Sequence, residues 1–103
     1  MAVVLIFPDG SADHESEVES KGWFADARLT HCGQSYRLNF YDPVRLRQDI
    51  EEELQRGNIF FEPNVVVVQS VTRRNMEKAA ALLVQSGSAS SLVADYQNQQ
   101  ARI

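Results

Sequence analysis

The 103-residue chain predicts a single small α+β domain, a two-layer arrangement with a mainly antiparallel sheet in the order β-β-β-α-β-α and helices on one face. Three observations carry that expectation. Residues 23–42 alternate apolar and polar side chains about a glycine-bearing turn, the pattern of an antiparallel hairpin. Residues 43–56 and 72–85 repeat apolar side chains at helical spacing. Two short β-branched runs, 2–7 and 65–68, read as strands. Hydrophobic residues form 44% of the chain and charged residues 23%, the balance of a globular domain that folds without metal or disulfide support.

The first strand is Val3 to Phe7, apolar without alternation and therefore expected to be central or covered on both faces. Pro8-Asp9-Gly10 stops it with turn chemistry. From Ser11 to Lys21 only Val18 is large and apolar, which predicts a mobile loop. In the hairpin that follows, a turn centred on Gly33 and Gln34 sets His31 opposite Tyr36, Leu29 opposite Leu38 and Ala27 opposite Phe40. One face is then apolar and belongs against the core. The other carries Asp26, Arg28, Thr30, Arg37, Asn39 and Tyr41, and is expected to be open.

Asp42-Pro43 starts a helix, because Asp accepts from free first-turn amides and Pro needs no donor there. Leu46, Ile50 and Leu54 form a narrow stripe that predicts one-sided packing on the sheet, with Gly57 as terminator. Ile59-Phe60-Phe61 and Val65 to Val68 flank Glu62-Pro63-Asn64, and since Pro cannot donate in a ladder the run is two strands or one strand bent at an edge; Val65 to Ser70 reads as the central strand, with an extra short strand at 59–61 as an option. Thr72 caps a second helix to about Gln85, whose inward stripe is Met76, Ala80 and Leu83. The domain is placed at residues 1–87. Residues 88–103 read as a Ser-rich linker and a short tail, helical at most through Leu92, Val93 and Tyr96.

Lys and Arg total 10 against 14 Asp and Glu, a net charge of −4 and the wrong sign for a nucleic-acid binder. The acidity is concentrated in Asp9, Asp13, Glu15, Glu17 and Glu19. Their spacing does not match a calcium loop, and two histidines with one cysteine make no zinc pattern, so no metal or other cofactor is expected. Cys32 is the only cysteine, which points to a reducing, cytoplasmic setting. No apolar run approaches the roughly 18 residues of a membrane span.

Four groups of side chains are candidate sites. Cys32 beside His31 suggests a nucleophile, but strand neighbours point to opposite faces, which argues against it. The acidic stretch is the second, read as a solvated loop. The junction Ser70, Thr72, Arg73 and Arg74 leads into a helix N-terminus, where free amides and the helix dipole favour an anion. The outer hairpin face offers Arg28, Arg37, Asn39 and Tyr41, with Trp23 at its margin, the residue types that dominate protein interfaces. There is no glycine-rich dinucleotide or phosphate loop and no nucleophile elbow. The expectation is a non-catalytic, protein-binding cytoplasmic module, a regulator, inhibitor or immunity-type antagonist, acting on a protein partner or a second copy. The alternative is an anionic small-molecule ligand or substrate at residues 70–74.

Overall fold

A computed structural model describes residues 4–8 and 10–95. Its four-stranded sheet, three pairs with one parallel, has three helices around it and is the α+β architecture that the element pattern predicts. Strand β1 is Val4–Ile6, β2 is Trp23–His31, β3 is Gln34–Tyr41 and β4 is Val65–Val67. The spatial order is β1-β2-β3-β4, with β1, β2 and β3 antiparallel in turn and β4 parallel to β3. The hairpin is therefore the centre of the sheet. Both apolar runs, expected in the interior, are its edges.

The acidic stretch is ordered, not a mobile loop. A 3-10 turn at Ser11–His14 leads into helix α1, Glu15–Lys21. Glu15 and Glu17 lie in its first turn, where carboxylates complement the helix dipole. Val18 packs on the core, so one apolar side chain suffices to anchor two turns. Gly22 ends α1 in the left-handed region at φ 72°, its N–H donating to Val18 O and Glu19 O. A Cβ at Gly22 would stand 2.5 Å from Asp42 Oδ2 and 2.9 Å from Arg45 Cβ, so both the backbone and its surroundings require glycine.

In the hairpin, Cys32 and Gly33 are the central turn residues, at φ 52° and 76°. Positive φ at both positions is the twist-matched two-residue turn, whereas the sequence reading had moved the turn one residue onward. The register accordingly shifts by two: Leu29 faces Tyr36, Ala27 faces Leu38 and His31 faces Gln34. An even shift preserves the faces, so Leu29 and Leu38 are buried while Arg28 and Arg37 stay exposed. A bulge between Phe24 and Ala27 then sets Trp23 opposite Tyr41 and Phe24 opposite Phe40.

The core is built on one face of this hairpin. Ala27, Leu29, Leu38 and Phe40 meet Val71 and, from helix α3 (Arg73–Gln85), Met76 and Ala80. Thr72 caps α3 by accepting from Asn75 N at 3.2 Å. Helix α2, Pro43–Gln55, starts as expected, with the Asp42 side chain accepting from Arg45 N at 2.7 Å. Yet no residue of α2 is buried, and none belongs to the core cluster. Of its stripe, Leu46 and Ile50 are half-buried and Leu54 is 58% exposed. Its first turn instead meets the outer side of the hairpin, where the Arg45 guanidinium lies 5.7 Å from the Trp23 ring.

Residues 59–61 pair with no strand among the described residues, so the optional extra strand does not form. Ser88–Ser91 makes a 3-10 turn with Ala89 buried, Leu92 packs on the core and Ala94 is buried. Asn64, at φ 55°, donates to Arg37 O at 2.9 Å and brackets Val93, accepting from its N–H at 2.7 Å and donating to its carbonyl at 2.8 Å. Tyr96 and the rest of the expected tail helix lie outside the described residues. Among those that are described, no helix is long and apolar enough to cross a membrane.

Candidate protein-binding edge

The outer hairpin face is covered by the chain itself at Tyr41 and in part at Asn39, while Arg28 and Arg37 stay exposed and are engaged by polar partners. Tyr41 is only 1% exposed, its ring packed edge-on against Phe60 and its hydroxyl donating to Glu62 Oε1 at 2.7 Å. Burial first, and then that carboxylate, hold the Tyr41 phenol well above the ordinary tyrosine range, so it remains a donor. Asn39 Nδ2 donates to Pro63 O at 2.8 Å. Arg37 turns back to donate from Nε to Ala25 O at 2.7 Å. Arg28 pairs with Asp95, which also accepts from Ser35 Oγ and from Arg37 N. Trp23 remains partly exposed beneath Arg45. Arg28, Arg37, Asn39 and Tyr41 share one sheet face by alternation, and the bulge between Phe24 and Ala27 brings Trp23 to the same face opposite Tyr41, but segments 60–63 and 93–95 lie on parts of it where an open platform was expected.

The strand-to-helix junction already holds a carboxylate. Arg73 N, at the start of α3, donates to Glu15 Oε2 at 2.8 Å. Asn75 Nδ2 binds the Ser70 carbonyl and hydroxyl, and Thr72 is the cap. The Arg73 guanidinium lies 4.5 Å from the Phe7 ring and 3.6 Å from Glu77, and Arg74 is exposed beside it. The helix terminus thus attracts an anion, as its dipole dictates, and α1 supplies one.

At the turn, Cys32 Sγ lies 3.3 Å from His31 Nε2, although strand alternation had argued that they could not meet. The left-handed backbone at Cys32 takes it off the strand, so the alternation does not apply there. Both side chains sit at the exposed tip of the hairpin.

The surface with a built geometry is the free edge of β4. Asn39 N donates to Asn64 O and Val68 N to Tyr41 O, each at 2.9 Å. Alternation along a parallel pair then turns the N–H and C=O groups of Val65 and Val67 away from β3, towards the edge. Among the described residues no strand covers that edge. It carries no lysine, bulge or internal proline, the devices that usually protect an edge. Directly beside it, between β4 and α3, runs an open apolar groove of about 290 Å³ lined by Val66, Ala79, Leu82, Leu83 and Ser86. Leu82 is 54% exposed at its margin, and Val67 is 49% exposed on the opposite face of the strand. The small side chain of Ala79 leaves room for an incoming one, and Leu82 and Leu83 form an apolar wall.

None of these groove residues is a candidate site in the sequence: Leu83 reads as core and Val66 as part of a central strand. The signal that existed was Pro63 before the valines, because a residue without a donor favours an edge position. Compared with known proteins, the chain matches no family model, no curated protein and no solved structure.

Proposed function

We propose that the chain is a protein-binding module whose partner adds an extended segment to the edge of β4. The observation that carries this reading is the Val65–Val67 edge, unpaired among the described residues and lying against the β4–α3 groove. Strand addition uses both parts: main-chain hydrogen bonds to Val65 and Val67 hold the segment, and every second side chain drops into the groove and selects the sequence. The preferred segment has apolar residues at alternate positions, because Val66, Ala79, Leu82 and Leu83 line the groove and the hydroxyl of its one polar residue, Ser86, is already bonded to Leu83 O and Ser88 Oγ. The free Cys32 on the surface supports a reducing, cytoplasmic setting for this activity.

Selection of short random peptides displayed on phage tests the reading. Sequences with alternating apolar residues should be enriched on the wild-type protein. Val67→Pro removes one outward N–H that the β3 ladder does not use, so the fold should persist while enrichment disappears. Leu82→Asp, on the exposed side of α3, should have the same effect by placing a charge in the groove. Peptides that bind both folded variants as well as wild type would remove the β4 edge from consideration.

A further inference from the structure

We propose a second interaction surface, separate from the β4 edge, that takes a cationic amphipathic segment of a partner protein. After α2 the chain turns at Gly57 and returns as the extended segment 58–62, leaving an open groove of about 400 Å³ between the two. Within that segment side chains alternate. Phe60 turns onto Tyr41 and Glu62 receives the Tyr41 hydroxyl, while Ile59 and Phe61 are each 79% exposed. Large apolar side chains are seldom left that open in pairs unless something covers them.

Charge identifies what covers them. Asp49, Glu52, Glu53 and Glu62 line the groove, against Arg45 on the lining and Arg56 beside it, a net charge of −2. Arg45 is already engaged with Asp49 at 2.9 Å, and Arg56 with Glu52 at 2.9 Å. A second copy of this chain carries a net −4 and would bring the same carboxylates. Nucleic acid and anionic lipid are repelled for the same reason. A segment with Lys or Arg flanking apolar residues answers both features at once: its cations meet Glu53 and Glu62, the carboxylates in excess of the Arg45–Asp49 and Arg56–Glu52 pairs, and its apolar side chains cover Ile59 and Phe61. Anchoring Phe60 and Glu62 on the buried Tyr41 holds the segment in place before binding, which lowers the cost of ordering it.

The probe is a synthetic Leu/Lys amphipathic peptide, with a Leu/Glu peptide and an all-Lys peptide as comparisons, followed by fluorescence anisotropy. Only the Leu/Lys peptide should bind well, and about 0.5 M salt should weaken it markedly. Glu52→Lys with Glu53→Lys should reduce its affinity at least about tenfold, and Phe61→Ser should do so without changing the charge. Glu17→Lys with Glu19→Lys, on the exposed face of α1, alters the net charge equally and should have little effect. An equal loss in that control, or full affinity in folded Phe61→Ser, overturns the proposal by reducing it to nonspecific charge attraction. Val67→Pro should leave this binding intact, so failure here and failure at the β4 edge can be told apart.

Discussion

The hairpin Trp23–Tyr41 and the stretch Ile59–Val68 are both rich in aromatic and β-branched residues, and they reach opposite environments. The hairpin alternates polar and apolar residues, which reads as a half-exposed sheet; Leu29, Leu38 and Phe40 are fully buried as that pattern requires, and Tyr41, on the face expected to be open, is buried as well. The later stretch is nearly continuous in apolar character, which reads as interior, yet Ile59, Phe61 and Val67 face outward. The difference lies in neighbours. β2 and β3 each have a strand on both sides and α3 beneath, and the segment after α2 lies over β3 at Asn39 and Tyr41, whereas β4 has, among the described residues, a neighbouring strand on one side only. Apolar content measures how much a segment gains from being covered, and lateral position decides whether it is.

Paired substitutions in the two regions probe this contrast most strongly. Phe40→Ala should destabilise the protein by about 3–5 kcal/mol, because a fully buried ring is replaced by a cavity. Phe61→Ala should change stability by no more than about 0.5 kcal/mol, since the ring is already in water. Urea unfolding of both variants gives the comparison directly. Similar costs at the two sites would mean that the 59–62 segment is part of the core and not an open surface.

Asn64 joins the two regions and should show an intermediate effect. Its side chain binds Arg37 O on β3 and both backbone groups of Val93. Asn64→Ala loses all three bonds and must also hold a left-handed backbone, for an expected cost of about 1–3 kcal/mol. Asn64→Gly keeps that backbone at no strain, so the difference between the two variants isolates the strain. If Asn64→Gly is as stable as wild type, the bonds to Val93 do not hold residues 92–95 against the sheet.

The smallest effect is expected at the hairpin tip. Cys32 is a left-handed residue with a Cβ, in a turn type that prefers Asn or Gly at that position. Cys32→Asn should therefore raise stability by about 0.5 kcal/mol and leave the register unchanged. A loss of stability in thermal unfolding would show that the Cys32–His31 contact, at 3.3 Å, matters more to the turn than backbone preference.

Much of the local structure was legible in the residues. Asp42-Pro43 and Thr72 marked the starts of α2 and α3, and the period-two pattern placed Arg28 and Arg37 on one side of the hairpin and Leu29 and Leu38 on the other, even with the turn misplaced. α1 was missed because its support is one side chain, Val18, and a terminating glycine whose need arises from Asp42 and Arg45, remote in sequence. The β4 edge was missed because burial and exposure of a valine run look alike in composition.

Caps and periodicities spanning a few residues were enough to set which side chains of residues 27–41 share a face, where α2 and α3 begin and that the chain forms an α+β domain. Long-range packing set the strand order, the absence of α2 from the core cluster, the covering of Tyr41 by Phe60 and Glu62, and the occupation of the α3 terminus by Glu15. Strand order depends on backbone hydrogen bonds whose donors and acceptors are the same in every residue, so the side-chain pattern does not encode which edge is left open.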